Sequence, residues 1–142
     1  MKIKVVESKK EKDDALTVRT AVFVKEQNVP PNIEVDQHEE DSIHFVGYKN
    51  NMPIAAGRLR FDGKYGKLER ICVLKKFRGN SYGKKMIQAM EEEILNQGYN
   101  KAKLNSQTHA ESFYKQLGYI TISDEFIDAG IPHITMVKDL KK

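Results

Sequence analysis

Arg78-Gly79-Asn80-Ser81-Tyr82-Gly83-Lys84-Lys85 is the stretch of this chain whose residue types and spacing most directly imply chemistry. It follows the apolar run Ile71-Cys72-Val73-Leu74 and precedes a periodic apolar pattern. It therefore reads as a strand, a basic glycine-bearing loop and a helix opening at Gly83. Between Arg70 and Met90 there are six basic residues and no acid. A helix start exposes amide N–H groups that have no internal partner and carries a partial positive charge. Lys84 and Lys85 oppose that dipole at up to ~1 kcal/mol each. Repulsion gathered in one place predicts an anion, and phosphate is the usual one. A solvated surface turn is the plain alternative.

Two familiar phosphate loops do not fit. A dinucleotide fingerprint needs three spaced glycines after a strand, and only Gly79 and Gly83 are present. A P-loop needs four residues between its glycines and a hydroxyl after the lysine. Here three residues intervene, and Lys85 stands where the hydroxyl would be.

Other residues could react. Cys72 is the single cysteine. It lies in an apolar strand segment with no histidine beside it, which predicts a buried, inert thiol rather than a nucleophile. The four histidines, His38, His44, His109 and His133, are dispersed and lack the spacing of a zinc site, so no metal is expected. His133 follows a proline and reads as a turn histidine, although histidine is the side chain that titrates nearest neutrality. Glu69 reads equally as a general base or as the partner of a nearby cation. Tyr114 has the spacing of a core tyrosine on a short amphipathic helix. The run Glu34 to Asp41 carries five acids. It is either a solvated loop or a recognition surface for a cationic amine.

These residues need elements to hold them. Lys2 to Val6 is a short strand. Ser8 and Glu11 have the spacing of a capping box, in which each satisfies the other's backbone donor. A helix follows with Ala15, Val18 and Val22 on its apolar stripe, fading before Pro30-Pro31. Asn28 to Ser42 is a loop. Three strands come next, Ile43–Lys49, Met52–Phe61 and Lys64–Val73, separated by Asn50-Asn51 and Asp62-Gly63 turns. Tyr82 to Gln97 is a long helix with Met86, Ile87, Met90, Ile94 and Leu95 on one face, stopped by Gly98. Lys101 to Ser106 is a strand, Ala110 to Leu117 a short helix, and Tyr119–Ile122 and Ile134–Lys138 are final strands. The fold class is α/β with a mixed sheet. The long helix is a crossover that makes its two flanking strands parallel.

The whole chain sets wider bounds. At 142 residues it is expected to form one domain, residues 1–142. No apolar run approaches the ~18 residues of a membrane span, and the charged start lacks a signal-peptide core, so a cytoplasmic location and no membrane partner are expected. The net charge of +4 is concentrated at one turn. That argues for a small anionic ligand and against nucleic acid, which would need a basic groove.

Residues 78–83 resemble the acetyl-coenzyme A loop of the GNAT N-acetyltransferase superfamily, Arg/Gln-x-x-Gly-x-Gly/Ala, with Ser81 where that family usually has glycine. Leu68-Glu-Arg-Ile-Cys-Val73 is similar to its fourth strand, and Phe113-Tyr-Lys-Gln-Leu-Gly-Tyr119 to its closing signature. Val22-Phe-Val-Lys-Glu-Gln27 and Ala129-Gly-Ile-Pro-His-Ile134 resemble a small bacterial branch, the YjcF/ElaA-like proteins. The resemblance implies an acyl-CoA N-acyltransferase fold, a central mixed sheet flanked by helices. It implies acetyl-CoA as cosubstrate, with a small-molecule or peptide amine as acceptor and a possible homodimer. Gly79, Asn80, Ser81, Tyr82, Gly83, Arg78 and Lys84 would hold the diphosphate. The backbone of Ile71, Cys72 and Val73, together with Asn105 and Phe113, would line the pantetheine arm. It implies Tyr114 as the acid that protonates the leaving thiolate and Glu69 as a base; His133, by its titration range, and a water chain to bulk solvent are the other candidates for the base. Acetyl transfer would proceed by direct attack in a ternary complex. A non-catalytic acyl-CoA sensor or interaction module on the same fold is the alternative.

Overall fold

The structure is a computed structural model that describes residues 1–141. The chain runs β1 (Lys2–Val5), α1 (Lys9–Arg19), a π-helical continuation (Thr20–Glu26) and α2 (Pro31–Glu34). It continues through β2 (Ile43–Lys49), β3 (Met52–Asp62), β4 (Tyr65–Val73), a 3-10 turn (Lys75–Phe77) and α3 (Tyr82–Asn96). The last part is β5 (Lys101–Gln107), a 3-10 turn (Thr108–Ala110), α4 (Glu111–Gln116), β6 (Ile120–Thr121), β7 (Phe126–Asp128) and β8 (Ile131–Asp139).

One sheet contains all eight strands, in the order β1-β2-β3-β4-β5-β8-β6, with β7 paired to β8. β4 and β5 are parallel, as a crossover helix requires, and the other pairs are antiparallel. Alternation along the strands sends successive side chains to opposite faces. On one face Val46, Ala56 and Cys72 pack with Ala15, Val18 and Val22 of α1 and its continuation. On the other Phe45, Leu59, Leu68, Leu104 and Met136 pack with Met86, Ile87, Met90 and Ile94 of α3. α3 sits tightly on the sheet at Gly57 and Gly66, where any Cβ would meet Met90 and Ile94.

Local signals explain most boundaries. Ser8 caps α1, its hydroxyl accepting from the Glu11 amide at 3.2 Å. The return bond differs from a reciprocal box: the Glu11 carboxylate accepts from the Glu7 amide at 2.8 Å, not from Ser8. The β2–β3 turn uses Asn50 and Asn51, both with positive φ (51° and 64°). That is the pattern a two-residue hairpin demands. β7 is an addition to the sequence reading, a three-residue strand that hairpins into β8 through Ala129-Gly130. Among the described residues no helix is long and apolar enough to cross a membrane.

Candidate active site

The parallel pair that the fold creates is incomplete. β4 and β5 pair only at Gly66–Ala102, Lys67–Lys103 and Leu68–Leu104, although β4 continues to Val73 and β5 to Gln107. Beyond Leu68 the strands part, and the gap opens into a groove of about 1380 Å³ lined by residues from both. The sequence-derived site residues converge there. Tyr114, Glu69, His133, Ile71, Cys72, Val73, Arg78, Gly79, Ser81, Tyr82, Gly83, Lys84, Asn105 and Phe113 all line this groove. Asn80 does not; its side chain donates to the Phe77 carbonyl at 3.1 Å and braces the loop.

At one end the loop presents bare backbone. α3 begins at Tyr82, where the apolar pattern placed it and one residue ahead of Gly83. Its first internal bond is from Lys85 to the Ser81 carbonyl, 3.1 Å. The amides from Gly79 to Lys84 have no acceptor among the described residues. Gly79 and Ser81 both lie in the left-handed region, at φ 86° and 63°. Backbone alternating in this way turns successive N–H groups into one concavity, which suits an anion. The Ser81 hydroxyl does not cap the helix. Its backbone conformation is the reason a glycine would fit there, because an L side chain in that region costs roughly 1–2 kcal/mol. Arg78 does not face the concavity freely. Its guanidinium donates to Glu26 at 2.7 and 2.8 Å and to the Val73 carbonyl at 2.9 Å. It thereby ties the loop to the end of the π-helical segment and to β4.

The middle of the groove is shaped by a bulge. Arg58 pairs with Glu69 and Ala56 with Cys72, so Arg70 and Ile71 together oppose Gly57. Arg70 has φ 54°. An extra residue reverses the alternation, which is why Leu68 faces α3 whereas Cys72 faces α1. Burial pushes the Cys72 thiol up to about 12, consistent with an inert side chain. Tyr114 borders the same space, edge-on to Phe113 and Tyr119 at 5.1 and 5.9 Å between ring centres. Its hydroxyl makes no side-chain hydrogen bond among the described residues, and burial alone acts on it. Burial raises its pKa to about 12 and keeps it protonated.

The two base candidates separate on geometry. The Glu69 carboxylate is spent on cations. It accepts from Arg58 at 2.8 Å and Arg60 at 3.1 Å and lies 3.4 Å from Lys67. Burial pushes its carboxyl up, but the charges of Arg58, Lys67 and Arg60 prevail and its pKa falls below the ordinary value. His133 is not in a turn; it lies within β8, beside Gln107 of β5 and stacked on Phe126. Proline preceding it marks the strand's second residue rather than a reversal. Its Nδ1 is 2.7 Å from the Ile131 carbonyl. A carbonyl only accepts, so Nδ1 carries the hydrogen and Nε2 of the neutral ring holds a lone pair.

The acidic run is solvated only at Glu40 and Asp41; its other three acids are occupied by the protein's own arginines. Glu34 and Glu39 are buried against Arg19, whose exposure is 0 %. Arg19 donates to Glu34 at 2.6 and 2.9 Å and to Glu39 at 2.8 Å. Arg58, also at 0 %, reaches Asp36, Glu39 and Glu69. Burial pushes the Asp36 and Glu39 carboxyls up, yet Arg58 and Arg19 respectively bring both down to about 2. The network is therefore ionised at neutral pH. Sequence reasoning passed over its arginines, though each left a trace. Arg19 falls on the apolar stripe of α1, and Arg58 interrupts an apolar strand between Ala56 and Leu59.

The family model described as "Acetyltransferase (GNAT) domain" matches residues 7–140. The chain is 46 % identical over 140 residues to the uncharacterized N-acetyltransferase YjcF of Bacillus subtilis, covering 98 % of this chain and 100 % of that one. It superimposes on the crystal structure of Escherichia coli ElaA with a TM-score of 0.87 and 25 % identity, covering 98 % and 100 % of the two chains. An acetyltransferase from Elizabethkingia anophelis, solved with acetyl-CoA bound, shares the fold at a TM-score of 0.74 and 17 % identity, covering 98 % and 97 %.

Proposed function

Because the chain belongs to the GNAT acetyltransferase family and to its YjcF- and ElaA-like branch, we propose that this N-acetyltransferase moves an acetyl group from acetyl-CoA directly to a primary amine, with no acetyl-enzyme. The observation that carries the reading is the row of unpartnered amides from Gly79 to Lys84 beside a groove that Tyr114 and His133 also line.

The residues present fit the coenzyme. The loop amides and Lys84 would hold its diphosphate, and the parted edges of β4 and β5 would flank its pantetheine arm. Ile71, Val73, Asn105 and Phe113 border that path. Bound there, the coenzyme supplies an acetyl thioester whose carbonyl carbon the amine attacks, the C–N bond forming as C–S breaks. The Ile71 amide, next to the left-handed Arg70, would donate to the thioester oxygen. Nε2 of His133 would take the proton that the ammonium must lose. His133 would pass that proton to solvent; the Tyr114 hydroxyl would give its proton to the departing sulfur, and the second proton, shed by the nitrogen once bonded to carbon, would restore the phenol. The sum is one amide, one thiol and one released proton. Glu69 acts as a structural anion held by three cations rather than as the base.

Thiol release from acetyl-CoA with a panel of primary amines tests the reading. Turnover that depends on Tyr114 and His133 supports it. Tight coenzyme binding with no turnover by any amine would leave only a sensor. Acetate recovered on Cys72 after mixing with acetyl-CoA alone would replace direct attack by a covalent route.

A further inference from the structure

The charge network that backs the groove, of which Arg60, Lys67 and Arg70 reach its lining, holds more cations than acids. Lys12, Arg19, Arg58, Arg60, Lys67 and Arg70 meet only Glu34, Asp36, Glu39 and Glu69 in the buried network. Every one of those carboxylates is within ion-pair distance of at least one guanidinium. None is left to attract a cation. Two exposed acids border the groove, Asp128 on the β7 rim and Glu26, which is held by Arg78.

The surplus has a location. Arg60 of β3 pairs with Lys67 of β4, and Lys67 pairs with Lys103 of β5. Three cations thus stand side by side across three strands. Like charges directly opposite each other destabilise a sheet, so the row is unfavourable unless something answers it. The nearby Glu69 touches Arg60 only through Nε, at 3.1 Å. Neither terminal nitrogen of Arg60 has an acceptor among the described residues. Arg60 and Lys67 line the groove, and their side chains are largely sheltered, at 19 % and 14 % exposure. A planar fork with two free nitrogens beside an ammonium matches a carboxylate or a phosphate.

We propose that the acceptor is an amine bearing an anionic group, carboxylate or phosphate, which Arg60 and Lys67 bind while the amine reaches toward His133. Lys103 reinforces the potential from behind. A polycationic amine is repelled by the same row. The inference rests on the acetyl-transfer reading for its amine and on Arg60 and Lys67 for its anion.

The test uses matched probes: leucine against leucinamide, O-phosphoethanolamine against ethanolamine, and spermidine. Each is titrated into the protein saturated with coenzyme A, and each is assayed for thiol release from acetyl-CoA. At least one anionic probe should bind and react at least tenfold better than its uncharged partner and than spermidine. Comparing leucine with phosphoethanolamine tells carboxylate from phosphate. Arg60→Gln and, separately, Lys67→Gln should erase most of that preference through KM, with coenzyme affinity retained. Spermidine or the neutral amines binding as well as both anionic probes overturns the proposal. So does an absence of binding by both anionic probes at tens of millimolar. Anion binding with no thiol released by any amine would keep the anion site and remove the acetyl-transfer reading instead.

Discussion

The two ends of the groove hold charge in opposite ways. The coenzyme end is made of backbone: six consecutive amides with no acceptor, two left-handed residues, and lysines near the start of α3. The acceptor end is made of side chains: arginines at zero exposure clamped by four carboxylates drawn from α2, the following loop and β4. The first is incomplete without a ligand, because its donors have nothing of the protein's own to bind. In the second, the buried Arg19 and Arg58 pairs satisfy one another and fix the loop that walls the groove, and only Arg60 and Lys67 at its edge keep donors in reserve. One region therefore stores affinity and the other stores rigidity.

Breaking the network should produce the largest effect. Arg58→Ala leaves Asp36, Glu39 and Glu69 short of their common partner, and losing one member of a buried ion pair costs roughly 3–5 kcal/mol. Chemical unfolding should show that loss. The same network sets the acid limit. Asp36 and Glu39 titrate at about 2 in the folded protein, below their ordinary values of 3.8 and 4.5. A depressed carboxylate stabilises the fold above its unfolded pKa and ceases to do so as pH falls through the folded one. Stability should hold above pH 4.5 and decline between there and pH 2. Arg58→Ala should flatten that decline. An unchanged profile would mean that the pairs contribute nothing net.

Tyr114→Phe should leave the coenzyme end intact and remove the acid. A fall in kcat of ~10²–10⁴ is expected, with coenzyme affinity within twofold. An unchanged kcat would return Tyr114 to a packing role.

Two smaller changes divide affinity from stability within the loop itself. Ser81→Gly relieves the left-handed backbone but adds freedom to the unfolded chain, for a net gain of ~0.5–1 kcal/mol in thermal unfolding. Gly83→Ala fits the fold, since its Cβ would meet nothing nearer than Phe113 at 3.8 Å. It should stabilise α3 by less than ~1 kcal/mol while weakening coenzyme binding, because the added methyl narrows the approach to the amides. Opposite signs in the two measurements would mark the loop as a ligand site. Parallel signs would mark it as ordinary helix.

The same contrast explains what could be read from the chain. The loop is contiguous, and its logic is local: glycine spacing, a helix start and an absence of acid between Arg70 and Met90. The strands and α3 were legible because their periodicity is strong, and the parallel β4–β5 pairing followed from the crossover, although its early parting beyond Leu68 did not. The network was not legible, because Arg19, Glu34, Arg58 and Glu69 meet only in three dimensions. Taken singly, the acids of residues 34–41 look like solvent-facing residues. The bulge at Arg70 was equally hidden; nothing in Leu68-Glu-Arg-Ile-Cys-Val73 announces a left-handed arginine, yet it decides which way Glu69 and Cys72 face. His133 was misplaced for a simpler reason: a preceding proline suggests a turn, but proline is also tolerated near the start of a strand.

The central claim is that the amides from Gly79 to Lys84 receive the coenzyme's diphosphate. Backbone amide signals recorded during titration with coenzyme A, and in parallel with pantetheine, test it most directly. Coenzyme A should shift those six resonances together and bind far more tightly than pantetheine, which lacks the phosphates. Equal affinity for the two ligands, or coenzyme binding that leaves the Gly79–Lys84 signals in place, would contradict it.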